Sequence, residues 1–153
     1  MSTSTRERAL AALFAIVDAE PWFRTRERNS VFALDHVEHA DFPAVVMVDG
    51  GDMAFPRTNA ALTTSATVYF WVSIRPDANS PLPARINEAR HKLLARLSTW
   101  IDGSALVTDD LAVALRYVNM SDPDIDDDGA PLASFSIEMR LEIAEPEFST
   151  LSF

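Results

Sequence analysis

The chain has no cysteine. That excludes a disulfide framework, a thiolate metal site and a cysteine nucleophile. No apolar run comes near the ~18 residues a membrane span needs, so the sequence predicts no membrane association. Basic residues are scarce: 13 Lys and Arg stand against 23 Asp and Glu, for a formal net charge of -10. Nucleic-acid affinity comes from neutralised phosphates, so so acidic a chain is a poor wrapper of nucleic acid. Only 4 glycines occur, and the one adjacent pair, in Asp49-Gly50-Gly51-Asp52, lacks the spacing of a phosphate-binding or dinucleotide loop. That tetrad reads instead as a turn. With 3 histidines, at 36, 39 and 91, the chain offers little for a zinc site. His36 and His39 lie near Asp35, Glu38 and Asp41, but convergence of three or four ligands is not indicated. No serine sits in a nucleophile elbow. No catalytic residue and no cofactor is predicted.

What is present is a hydrophobic share of 48% in 153 residues, enough for one domain with a packed core. Charge is split along it. The 11 Lys/Arg and 11 Asp/Glu of residues 1–101 cancel, while residues 102–153 hold 2 Lys/Arg and 12 Asp/Glu and carry the whole net charge. One end of the molecule is therefore acidic, which serves solubility and also directs association.

The central stretch is Thr58 to Arg75. Leu62, Thr64, Ala66, Val68, Phe70, Val72 and Ile74 alternate with Thr63, Ser65, Thr67, Tyr69, Trp71, Ser73 and Arg75. Period two predicts a long strand with its Val68 face in the core. The opposite face, with Tyr69 and Trp71, is aromatic for a surface. Tyr69 and Trp71 are accordingly the candidate interface residues. Pro76 ends the strand.

Two helices are expected. Ser4 to Asp18 opens with a Ser4/Glu7 capping box and carries Leu10, Leu13, Phe14 and Val17 on one stripe, so it reads as an amphipathic helix and not a signal peptide. Ser80 to Asp102 carries Ile86, Ala89, Leu93, Leu97 and Trp100 at helical spacing. Between them, Trp22 and Phe23 stand beside Arg24, Arg26 and Arg28, a short basic cluster of the kind found in solvated loops. Val31 to Leu34 and Ala44 to Val48 read as strands. Val113 to Met120 and Ser134 to Ala144 read as a closing hairpin, the second with alternating Phe135, Ile137, Met139, Leu141 and Ile143. The expected fold is α+β: an antiparallel or mixed sheet with two main helices on one face, in a single domain. Residues 145–153 are expected to be a flexible or docking tail.

The hairpin connection, Ser121 to Pro131, is long and holds Asp122, Asp124, Asp126, Asp127 and Asp128. It is expected to be mobile and to project from the sheet. Asp124, Asp126 and Asp128, followed by Gly129, match the opening of a calcium loop, but the twelfth position is Phe135 where a bidentate Glu belongs. These three aspartates are a weak metal candidate, and a solvated acidic loop is the plainer reading.

The order of these elements resembles one family. It is carried by the helix start Arg6-Glu7-Arg8-Ala9-Leu10, the strand Phe42 to Gly50, the strand Thr67 to Ile74 leading into helix Ala84–Asp102, and the hairpin closing at Ser134–Ile143. These features are similar to the tail terminator proteins of long-tailed bacteriophages (minor tail protein U-like). The acidic loop 121–131 has no counterpart we place in that pattern. The resemblance implies a non-enzymatic homo-oligomer, a hexameric ring. Such a ring seats on the tail tube protein, ends tube polymerisation and offers a surface to a head-completion or connector protein. DNA would pass through it without specific binding, and the protein would belong to the virion tail, assembled in the host cytoplasm. Another neck or connector subunit, or a small-molecule-binding α+β domain, fits the same texture.

Overall fold

The computed structural model describes residues 5–29, 42–54, 62–77, 79–101, 103, 105–108, 111–126 and 131–145. Helix α1 spans Thr5–Asp18 and is followed by strands β1 (Thr25–Arg28), β2 (Ala44–Ala54) and β3 (Leu62–Ile74). Helix α2 spans Leu82–Ile101 and leads to β4 (Ala105–Thr108), β5 (Leu111–Met120), β6 (Asp124–Asp126) and β7 (Leu132–Glu145). The strands form one mixed sheet in the order β1-β2-β3-β7-β5-β4, with β6 pairing to β7. Among the described strands only β1 and β2 run parallel; the other pairings are antiparallel. The α+β class with two helices on one face, in a single domain, is as the periodicities predict.

Strand β3 sits between β2 and β7, and its register explains the core. Val68 pairs with Met139, Phe70 with Met47 and Ile137, and Val72 with Val45 and Phe135. Paired residues point to the same side of a sheet, so these rows form one apolar surface. The stripes of the two helices close it. Ala9, Leu10, Leu13 and Val17 of α1, with all five expected residues of α2, are buried against it. Burying a side chain of this size stabilises by about 1.5–3 kcal/mol each before chain entropy is counted.

Three expectations are corrected. Asp49 to Asp52 is not a turn: β2 runs straight through it, and the register slips between Asp49 and Met53. Pairing with β3 overrides the local turn preference, and the glycines lie at a bulge. A Cβ on Gly50 would stand 2.7 Å from the Thr67 carbonyl oxygen, so the close approach of β2 to β3 requires glycine there. Second, Arg26 and Arg28 do not lie in a solvated loop but on β1, paired with Val45 and Met47. Third, the acidic connection does not project as a whole. Asp124, Ile125 and Asp126 pair with Ser134, Ala133 and Leu132, so β6 continues along the same edge of β7 that β5 uses further on. Ser121 makes the join: its N–H donates to the Ser136 carbonyl at 2.9 Å, and its Oγ accepts from the Ser136 N–H at 2.8 Å. The expected Ser4 cap, strand 31–34 and tail 146–153 lie outside the described residues.

Candidate functional site

Two surfaces distinguish this fold among the described residues: the sheet face opposite the two described helices and a cleft at one end of the sheet. On the face opposite the described helices Trp71 pairs with Val46 and Ser136, and Tyr69 pairs with Val48 and Glu138. Trp71 keeps 38% of its surface exposed and Tyr69 is half-buried. Around them stand Glu138, Arg140, Arg116 and Glu142, with Arg116 Nε donating to Glu142 at 2.7 Å. An aromatic centre with a charged rim is the anatomy of a protein interface. Both predicted interface residues therefore share one patch, as period two places them.

The cleft was not foreseen from the sequence. It encloses about 530 Å³ and is lined by Trp22, Arg24, Phe42, Pro43, Arg75, Pro76, Asp77 and Arg85. The Phe42–Pro43 peptide is cis. Its Pro43 carbonyl accepts from the Arg24 N–H at 2.8 Å, which fixes the entry to β1 against the start of β2. Trp22 is held by its neighbour Phe23, edge to face at 5.0 Å, and by its Nε1, which donates to Glu88 Oε1 at 2.6 Å. The Arg85 guanidinium lies 4.9 Å from the Trp22 ring centre, and that of Arg75 lies 4.7 Å from the Phe42 ring centre. Stacking on aromatic faces orients the two cations. Asp77 is 3.7 Å from Arg85 and also caps its own loop by accepting the Asn79 N–H at 2.8 Å. Among the described residues, three guanidiniums and one carboxylate line the cleft. Its residues come from four separated places in the chain, so no local pattern announces it.

The remaining charged clusters brace the fold. Arg28 Nη1 and Nη2 donate to Glu7 at 2.7 and 2.9 Å, and Nη2 also donates to Asp49 at 2.7 Å. The hydrogen bond from Arg28 is the main reason the Glu7 carboxyl is held below its ordinary value, with the attraction of the Arg28 charge adding to it. Its two carboxylate partners push the Arg28 pKa up. Asn29, in the left-handed region at φ 56, closes the strand by donating its own N–H to Met47 at 2.7 Å and accepting the Asp49 N–H at 2.8 Å. Arg26 donates to Asp18 and to the carbonyls of Glu20 and Phe23. The basic cluster after α1 is thus largely spent on internal bonds, with Arg24 alone directed to the cleft.

Of the metal candidates, Asp124 and Asp126 lie on β6, and Asp128 lies outside the described residues. A calcium loop coils around its ion, whereas 124–126 is extended and hydrogen-bonded to β7. Among the described residues no three carboxylates or histidines gather as a metal site. His91 is exposed on α2, and His36 and His39 are outside the described residues. No protein-family model matches the chain, and no curated protein matches it.

Proposed function

We propose that this chain is a structural ring protein of a phage tail. In this reading copies close into a homo-oligomer, a hexamer, that caps the tail tube, ends its polymerisation and presents a surface for head joining. The observation that carries the reading is the aromatic patch of Tyr69 and Trp71 on the sheet face opposite the two described helices. A two-layer domain ordinarily leaves such a face polar. An aromatic centre makes sense when a second copy covers it, since Trp and Tyr dominate interface energetics. The resemblance of element order to tail terminators supplies the ring and its partners.

Light scattering at several mg/ml, with electron microscopy of tail tubes mixed with the protein, tests this. A closed ring that binds tube ends and halts further tube growth is the expected result. A ring that binds a head connector and ignores tubes makes the protein a neck subunit. A monomer at every concentration that leaves tubes untouched ends the proposal. The cleft's volume lies within the range of small-molecule sites, so the second reading is a domain that binds a small anion. It gains if that monomer is stabilised by anions.

A further inference from the structure

We infer that the β5–β6 edge of the sheet docks on the same edge of a second copy of this chain, antiparallel and two-fold, with Ile125 of each copy set against Tyr117 of the other. The contact stands independently of the ring proposed above. A two-fold contact pairs two free chains, or subunits of two rings, and cannot by itself close a ring.

The edge is long and apolar. β5 and β6 follow one another along the same side of β7, joined at Ser121. β4 pairs with β5 only as far as Val113. Among the described residues no strand lies beside the outer edge from Ala114 to Asp126. Unpaired backbone N–H and C=O groups of that kind are a template for another strand. Trp71, Leu106, Tyr117, Val118 and Ile125 are the exposed large hydrophobic side chains among the described residues, and all but Trp71 lie on β4, β5 and β6. Exposed apolar surface therefore gathers at this edge, which marks an interaction surface. Beside it runs a groove of about 370 Å³ between α2 and β5, lined by Arg90, Leu94, Ser98, Ile101 and Tyr117.

Run antiparallel against itself about Ser121, the edge is self-complementary. Tyr117 then faces Ile125, Val118 faces Asp124, and Met120 faces Asp122. Within one chain Tyr117 pairs with Met139 and Ile125 with Ala133, both core residues, so both side chains lie on the side of the sheet that carries the described helices. Ile125 of one copy thus comes beside Tyr117 of the other, at the mouth of the groove that holds Leu94 and Ile101. An aromatic ring against a β-branched side chain is a favourable cross-strand pair, and the two-fold axis makes it twice.

The charges agree with this register. Asp124 pairs with Ser134, and Arg140 with Arg116, on the opposite side of the sheet. Arg116 is engaged by Glu142, whereas Arg140 is exposed and has no bond or ion pair among the described residues. Asp124 is likewise exposed and without one. The pairing brings Asp124 of one copy two strand spacings, about 10 Å, from the β7 that carries Arg140 in the other, a span the two extended side chains can bridge. None of these aspartates faces an aspartate. Moving the axis one residue on, to Asp122, would set that carboxylate against its own copy, and like charges directly opposite are destabilising.

The absence of native cysteine makes the test direct. Tyr117→Cys and Ile125→Cys chains are prepared separately, checked for native circular dichroism, and oxidised mildly alone and as a mixture. Disulfide dimers that form at least tenfold more in the mixture than in either sample alone are expected. The double variant Tyr117→Cys/Ile125→Cys should stop at dimers, because a two-fold contact uses both cysteines of each copy. A ladder of longer linked chains would mean a head-to-tail contact and overturn the inference. Val118→Lys, which puts a charge on the edge, should weaken dimerisation at least tenfold in light scattering while the dilute chain melts as before. A dimer indifferent to that lysine overturns the inference. A ring by light scattering without cross-links also overturns it and leaves the ring reading standing. Cross-linked dimers from a chain that forms no ring support the inference and count against the ring alone. A monomer without cross-links overturns both.

Discussion

Arg28 on β1 holds Glu7 on α1 through two parallel hydrogen bonds of 2.7 and 2.9 Å, while the same guanidinium reaches Asp49 on β2. One side chain thus ties the first helix to the first two strands. Asp49 pairs with Val68 on the helix-facing side of the sheet, where an unpaired carboxylate would be costly. Arg28→Met should therefore lower stability by about 2 kcal/mol, read from urea denaturation. Glu7→Gln should cost less, about 0.5 kcal/mol, because Glu7 is nearly half exposed and water screens its share.

The same pair predicts a pH dependence. The Glu7 carboxyl titrates lower in the folded chain than in the unfolded one, where its value is near 4.5. Its contribution is thus present above that value and is lost as pH falls through the lower folded value. Urea midpoints of the native chain should drop from pH 5 to pH 3 more steeply than those of Glu7→Gln. Parallel slopes would show that Arg28 does not favour the Glu7 carboxylate.

Gly50→Ala is expected to destabilise the domain although it adds only one methyl group. The new Cβ meets the Thr67 backbone, which cannot swing aside as a long side chain can. Overpacking of this kind costs about 1–3 kcal/mol, or roughly 2–10 °C of melting temperature at this size. Gly103→Ala is the control: nothing lies within 4 Å of its Cβ position. Equal melting temperatures for the two variants would mean that the bulge relaxes.

These side chains mark where sequence reasoning reached and where it stopped. Period-two and helical stripes located β3, β7, α1 and α2, because their apolar faces are long and each buried residue repeats the signal. β1 escaped it. Thr25-Arg26-Glu27-Arg28 has no apolar alternation, and its place in the sheet is secured by ion pairs to residues far away in the chain. β6 escaped for the same reason, since an aspartate-rich triplet has no strand propensity of its own. The turn reading at Gly50 failed because the eight paired positions of β2 and β3 outweigh one local preference. At the candidate site, Tyr69 and Trp71 were legible because alternation alone assigns their face. The cleft was not, because Trp22, Phe42, Arg75 and Arg85 converge only once the sheet has formed.

Arg96 on α2 donates to Glu20 at 2.8 Å, and Glu20 is 7% exposed. This bond joins the end of α1 to the second helix. Arg96→Met should leave the Glu20 carboxylate buried without its partner, at a cost of about 2 kcal/mol. The double variant Arg96→Met/Glu20→Gln should recover part of that loss, since the uncompensated charge is gone. Denaturation of the three variants gives the coupling, and additive losses would show that the two side chains do not support each other.

Trp71→Ala separates the interface reading from a purely structural role. Trp71 stands between Val46 and Ser136 on the face opposite the described helices and remains 38% exposed. If its main service were to shield the sheet within one chain, truncation would remove intrachain contacts, and the melting temperature of the dilute monomer would fall. If a neighbour covers it, the monomer loses little and the assembly loses much. Aromatic side chains at interface centres cost about 2 kcal/mol or more when truncated, which weakens association about 30-fold. The expected outcome is a melting temperature within about 2 °C of the native chain at low concentration, with a ring population shifted to that much higher concentration in sedimentation velocity. Phe70→Ala, on the adjacent position but the opposite face, should behave in reverse. Phe70 is fully buried in the core, so its loss should cost about 3–5 kcal/mol of folding stability. Neighbours in the chain that fail in opposite ways would assign one face of β3 to folding and the other to assembly. A Trp71→Ala chain that melts early and assembles normally once folded would give both faces to folding.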